Sequence, residues 1–180
     1  MTFINTKYFY IQIVFFASLL SGCADTRGSH QLVGSPMSSS QASRFSDLLI
    51  TVKPDNHVTL SQTDTDRMTK LIMEDIKTNS PNRFKTINTS APGSTALKAS
   101  VAIKNYDEGS AFARFMMIGI GQIHIDADVT LADSLSNEKM AQYEVTKTFA
   151  WHGIYGAVTD IKDTEVGFCK AVADSILGKD

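Results

Sequence analysis

Three stretches of this chain alternate apolar and polar side chains with a period of two. In the first, Leu97, Ala99, Val101 and Ile103 are interleaved with Lys98, Ser100, Ala102 and Lys104. In the second, Ile123, Ile125, Ala127, Val129 and Leu131 face one way, and Gln122, His124, Asp126, Asp128 and Thr130 face the other. Met140 to Trp151 repeats the pattern, with Tyr143, Val145, Phe149 and Trp151 on one side, after a turn at Asp133-Ser134-Leu135-Ser136-Asn137. Period two places successive side chains on opposite faces of a strand, so each stretch predicts a strand with one wet and one dry face. Leu48 to Val52 is a short β-rich run stopped by Lys53-Pro54-Asp55-Asn56, and Arg83 to Thr89 alternates more weakly around Phe84 and Ile87 before the turn Ser90-Ala91-Pro92-Gly93.

Two other stretches carry helical spacing. Capping residues and acids from Ser61 to Asp66 precede Met68, Leu71, Ile72 and Ile76, one apolar stripe that Asn79-Ser80-Pro81-Asn82 ends. Lys162 to Leu177 repeats the stripe with Cys169, Val172, Ala173 and Ile176, and Gly178 stops it. The predicted order is β-α-β-β-β-β-α. Long strands and two singly striped helices imply an α+β fold, a mostly antiparallel sheet with both helices packed on one face.

The front of the chain is of another kind. Lys7 is followed by the thirteen apolar-rich residues Tyr8 to Leu20, too few to span a bilayer, and then by Ser21, Gly22 and Cys23. Residues 1–22 therefore read as a secretory signal peptide. Leu20-Ser21-Gly22-Cys23 resembles the box of bacterial lipoproteins. That resemblance implies cleavage before Cys23, a diacylglycerol on its sulfur and an acyl chain on its new amino group. Two or more acyl chains hold a protein stably on a membrane. In Gram-negative lipoproteins an Asp directly after the Cys retains the protein at the inner membrane. Here Ala24 follows and Asp25 comes one place later, so the resemblance implies the outer membrane, facing the periplasm. Residues 23–46, rich in serine from Thr26 to Ser46, read as a lipidated cysteine and flexible tether with a reach of about 25 Å. Residues 47–180 read as a single periplasmic domain.

Charge and composition narrow the function. Seventeen Lys and Arg stand against 19 Asp and Glu, a net charge of −2, which leaves no concentrated basic face for nucleic acid. With Cys23 acylated, Cys169 is the one remaining thiol; no internal disulfide forms, and its apolar neighbours make it a buried small hydrophobe. His124, Asp126 and Asp128 share one strand face, with Glu144 within reach on a neighbour, and are the only candidate metal row. Side chains two apart on a strand lie about 6.5–7 Å apart, so a solvated face is the expected reading, with no metal and no cofactor. Gly119-Ile120-Gly121 leads into a strand, not a helix, and no GxSxG, HExxH, Walker loop or CxxC occurs. The expectation is a protein without catalytic residues.

Ala111 to Ile120 (AFARFMMIGI) stands apart, nearly all apolar with Arg114 its single charge. It is either strand ends and a hairpin at Gly119 folded into the core, or an exposed ridge in which Phe112, Phe115, Met116 and Met117 dock a partner or touch lipid. Strand alternation would bury Phe115 and expose Met116. The features Tyr106-Asp107-Glu108-Gly109, Arg114, Gly119 and Gly121, and Val129 to Asp133 resemble a family of small bacterial lipoproteins catalogued as a domain of unknown function. The resemblance covers Ala99 to Leu177. It implies a periplasm-facing α+β domain and supplies no catalytic residues. The function expected is therefore a membrane-anchored envelope lipoprotein with a non-catalytic binding or scaffolding domain and an envelope protein partner. An accessory subunit of an envelope secretion or assembly machine, or an envelope hydrolase, are the alternatives.

Overall fold

The computed structural model describes residues 28–89, 95–117 and 120–179. Its elements in chain order are β1 (Ser29–Leu32), α1 (Ser39–Ala42), β2 (Asp47–Pro54), α2 (Gln62–Asn79), β3 (Thr86–Ile87), β4 (Ala96–Asp107), α3 (Ala111–Met116), β5 (Ile123–Asp133), β6 (Lys139–Phe149), α4 (Gly153–Val158) and α5 (Ile161–Leu177). The three alternating stretches become the three long strands. The stretch Leu20 to Cys23, read above as resembling a lipoprotein box, lies outside the described residues, as does Gly119.

The strands form one six-stranded sheet in the order β1-β6-β5-β4-β2-β3. It is mixed, not mostly antiparallel: β2 runs parallel to both β3 and β4, while the β4–β5, β5–β6 and β1–β6 pairs are antiparallel. The cause is α2. An 18-residue helix carries the chain about 27 Å back across the sheet, so the next strands start from the same end as β2. The expected hairpin of β5 and β6 holds, with Ala127 opposite Val145 and Val129 opposite Tyr143.

Helices α2 and α5 pack against each other and cover one sheet face. Each opens on a capping box. The Ser61 hydroxyl accepts from the Asp64 amide while the Asp64 carboxylate accepts from the Ser61 amide, and Asp160 and Asp163 do the same for α5. Gly178 ends α5 in the left-handed conformation. Between the helices and the sheet lie Leu48, Met68, Ile72, Ile76, Leu97, Ile103, Ile123, Ile125, Leu131, Phe168 and Ile176, all fully buried. The short helices α1, α3 and α4 go beyond the two that the sequence pattern predicts.

A buried polar cluster crosses this core. Glu165 on α5 is 0% exposed, and both its oxygens accept from Arg67 on α2, from Nε and Nη2, at 2.7 Å each. The Tyr106 hydroxyl on β4 donates to the same carboxylate at 2.5 Å, and Arg67 also reaches Asp64 at 2.7 Å. The cluster fastens two helices to the sheet.

The stretch read as a tether does not behave as one from Ser29 onward. β1 pairs with β6, Ser29 opposite Thr146 and Leu32 opposite Tyr143, and Phe45 is buried in the core. The serines there serve as caps: the Ser38 hydroxyl accepts from the Gln41 amide and starts α1. A four-residue edge strand is too short to show a period, and cap-rich sequence resembles linker sequence. The described fold is thus under way by Gly28, whose amide donates to the Gly167 carbonyl at 2.8 Å, and does not begin at Asp47.

Candidate functional site

The face of the sheet away from α2 and α5 carries the polar half of each alternating strand. An open groove of about 820 Å³ runs over it, lined among others by His30, Lys104, His124, Asp126, Asp128 and Glu144. The expected row is present but divides into two pairs. His124 Nε2 bonds Asp126 at 2.7 Å and its Nδ1 bonds the Thr148 hydroxyl at 2.6 Å, while Asp128 is held by Lys104 Nζ at 2.6 Å. That carboxylate lifts the Lys104 ammonium above its ordinary value. Among the described residues no group of three or more His, Cys, Asp and Glu is placed to hold a metal ion.

Thr148, His124 and Asp126 form a hydroxyl–imidazole–carboxylate chain that the strand pattern alone does not join, because Thr148 sits 24 residues away on β6. The register of β5 and β6, with His124 opposite Thr148, is the signal that could have found it. Acyl transfer also needs free donors aimed at a developing oxyanion. Strand β5 is paired on both sides here, His124 with Asp107 and Thr148, Asp126 with Asn105 and Thr146, so its amides belong to the ladders.

The second site is at one end of the sheet. Ala111 to Met116 is a helix, not strand ends, so the expected split between Phe115 and Met116 fails: both are exposed, at 50% and 60%. Phe112 is 76% exposed and Met117 is exposed as well. All four candidate partner residues therefore face outward. Arg114 turns the other way and is only 4% exposed. Its Nε donates to the Gly156 carbonyl at 2.7 Å, Nη1 to Glu108 and Gly121 at 2.9 and 2.7 Å, and Nη2 to Thr159 at 3.0 Å. The guanidinium thereby ties α3 to α4, which sits beside it at the end of β6. Gly156 permits the close fit, since a Cβ there would collide with the Trp151 carbonyl. On α4, Ile154, Tyr155 and Val158 are exposed. Trp151 and Phe149 pack edge-on against Tyr155, with ring centroids at 6.0 and 5.8 Å.

No curated protein matches the chain. Two solved structures of a PelC dodecamer from Paraburkholderia phytofirmans share its fold, one at 9% identity with a TM-score of 0.55 and one, of a single-residue variant, at 11% with 0.52. Each alignment covers 83% of this chain and 96% of the other. A candidate lipoprotein from Caulobacter crescentus aligns at 16% identity over 76% of this chain and 87% of its own, with a TM-score of 0.38. A family model described as a domain of unknown function, DUF4410, matches residues 37–153. That span runs from just before α1 to the first residue of α4 and takes in strands β2 to β6 with α2 and α3. By that match the chain belongs to the DUF4410 family.

Proposed function

We propose that this protein is an envelope lipoprotein, held by acyl chains on Cys23 at the outer membrane and facing the periplasm, whose domain scaffolds or binds a protein partner without catalysing a reaction. The observation that carries this is the position of the box Leu20-Ser21-Gly22-Cys23, which ends five residues before the folded residue Gly28. Such a short leash keeps the whole domain at the membrane surface. A non-catalytic role is supported by the polar face, where the hydroxyl–imidazole–carboxylate chain lies against strand amides already used in pairing. Among the described residues no helix is long and apolar enough to cross a membrane. Metabolic labelling with radioactive palmitate tests the reading. The native chain takes up label and Cys23→Ala does not. Equal labelling of the two, or none of the native chain, overturns it.

A second reading, an accessory subunit present in several copies within an envelope assembly, is favoured by the shared fold with a protein crystallised as a dodecamer. Light scattering on the detergent-extracted chain tests it: a single-copy mass removes this reading.

A further inference from the structure

The two end helices are built inside out. Among their twelve residues, Ala111–Met116 and Gly153–Val158, the single charged group is Arg114, and it is the buried one. The side chains facing outward are Phe112, Phe115, Met116, Ile154, Tyr155 and Val158, with Phe112 and Ile154 each 76% exposed. A helix on a water-facing surface turns its charge outward and its phenylalanine inward. These do the reverse, and the cost of burying a guanidinium is met by four carbonyls that could have had water instead. An exposed apolar platform of this kind marks an interaction surface.

The path of the chain identifies the occupant. β1 lies antiparallel to β6 with Ser29 opposite Thr146, so moving from Ser29 toward the N-terminus leads toward Phe149, where β6 ends and α4 follows. Thr146 to Phe149 is about 10 Å of strand. The contact of Gly28 with Gly167 gives a second estimate, since Gly167 lies six residues into α5, about 9 Å from its start beside α4. From Gly28, five residues lead to Cys23 and span at most about 18 Å. From Ser29 to Gly28 the chain thus heads toward the end that bears the platform, and Cys23 lies within about 18 Å of Gly28. Trp151 and Tyr155, the residue types that favour the boundary between headgroups and acyl chains, stand at its rim.

We propose that the α3–α4 platform is a lipid-binding surface, on which Phe112, Phe115, Met116, Ile154, Tyr155 and Val158 enter the headgroup–acyl boundary of the membrane that holds Cys23. It acts as a second, non-covalent foot and fixes the orientation of the domain, with the polar groove on the open sheet face held clear of the bilayer. This rests on the acylation of Cys23 for its direction, and its test is independent of that reading.

Trp151, the only tryptophan in the chain, is the probe. The full chain is purified from membranes in detergent and mixed with an excess of phosphatidylethanolamine–phosphatidylglycerol vesicles whose acyl chains carry bromine near the headgroup. Trp151 emission should shift to the blue and lose most of its intensity, as for a face sunk about 5–10 Å into the boundary. The double variant Phe112→Asp, Ile154→Asp, which alters only exposed side chains and is checked for a native circular dichroism spectrum, should lose that quenching while staying on the vesicles. Leu135→Asp, also exposed but in the turn at the opposite end of the sheet, should quench like the native chain. Unquenched Trp151 on vesicle-bound native chain overturns the proposal. So does equal quenching of native chain and double variant. A photocrosslinker at position 112 that joins two copies instead of lipid shows a protein-filled platform and also overturns it. Failure of palmitate labelling removes the anchor alone. The comparison of native chain and double variant at excess lipid still decides the platform.

Discussion

Replacing Arg67 by Met tests whether the buried cluster is held by charge pairing. The change keeps much of the side-chain volume but leaves Glu165, fully enclosed, with Tyr106 as its main remaining partner. Removing one member of a buried ion pair costs about 3–5 kcal/mol, most of it the penalty of an uncompensated carboxylate. The Arg67 side chain is 27% exposed, so water already meets part of its charge and the loss belongs near the lower end of that range. For a domain of this size each kcal/mol lowers Tm by about 2–4 °C, so a loss of about 3 kcal/mol in Arg67→Met should bring melting about 6–12 °C below the native protein.

The decisive arm is the compensated variant. If the penalty comes from stranded charge, adding Glu165→Leu to Arg67→Met should recover most of it, because an apolar replacement of a whole buried pair is often neutral or better. The Tyr106 hydroxyl then lacks its acceptor, about 1–3 kcal/mol, which Tyr106→Phe should return in a triple variant. Denaturant melts at constant slope give each value. A single variant that loses less than about 1 kcal/mol, within the range of an ordinary surface pair, would refute the reasoning. So would a triple variant as unstable as the single.

Three further outcomes follow from the same structure. Burial lifts the Cys169 thiol far above its ordinary value, so a thiol reagent at about pH 8 should find no reactive group in the folded, membrane-extracted chain and one after denaturation; two after denaturation would mean that Cys23 is free. The Ser61 hydroxyl, and after it Arg67, hold the Asp64 carboxyl below its ordinary value of 3.8; its contribution is complete above that value and lost as pH falls through the lower folded one, so Asp64→Asn should flatten the acid limb of a stability–pH curve below about pH 4 and leave the slope near neutral pH unchanged. Gly109 has φ of +61°, and a Cβ there would collide with the Gln122 carbonyl; Gly109→Ala should expose residues 108–121 to proteolysis before the domain melts, and an unchanged cleavage pattern would show that the turn adapts.

What could be read from the sequence depended on whether an element spends its apolar residues in the usual direction. Strands β4, β5 and β6 and helices α2 and α5 each lay a regular apolar face on one core, and their spacing carried both their identity and their approximate ends. The hidden features share a different cause. β1 is held by its partner β6, not by its own pattern. The parallel pairing of β2 with β4 follows from the length of α2 and the side on which it returns, neither of which alternation encodes. The bond from Thr148 to His124 and the grip of Arg67 on Glu165 join residues 24 and 98 positions apart, which only the register and the helix packing bring together.

The end helices mislead for the most informative reason. Apolar residues are read as core by default, because water is assumed to be outside. Ala111 to Met117 is apolar apart from Arg114 and still turns its large apolar side chains outward, so its pattern describes a surface that, on the proposal above, meets lipid and not water. Arg114 is visible in the sequence as the lone charge in that stretch, yet its role depends on carbonyls from three other places, Glu108, Gly121 and the α4 segment. The same inversion that hides the helices from a reading based on burial is what gives them meaning once the chain's exit beside them is traced. With Cys23 acylated as proposed, a domain tied within five residues of its lipid would gain little from a second foot in affinity for the membrane, since the acyl chains would already supply it. What the foot supplies is orientation: it removes the rotational freedom of the domain about its lead and fixes which way the groove over His124, Asp126 and Asp128 faces. In the proposed arrangement that groove would be presented to the periplasm at a fixed height and angle, which is the condition for a scaffold that must meet a partner, or further copies of itself, in one register.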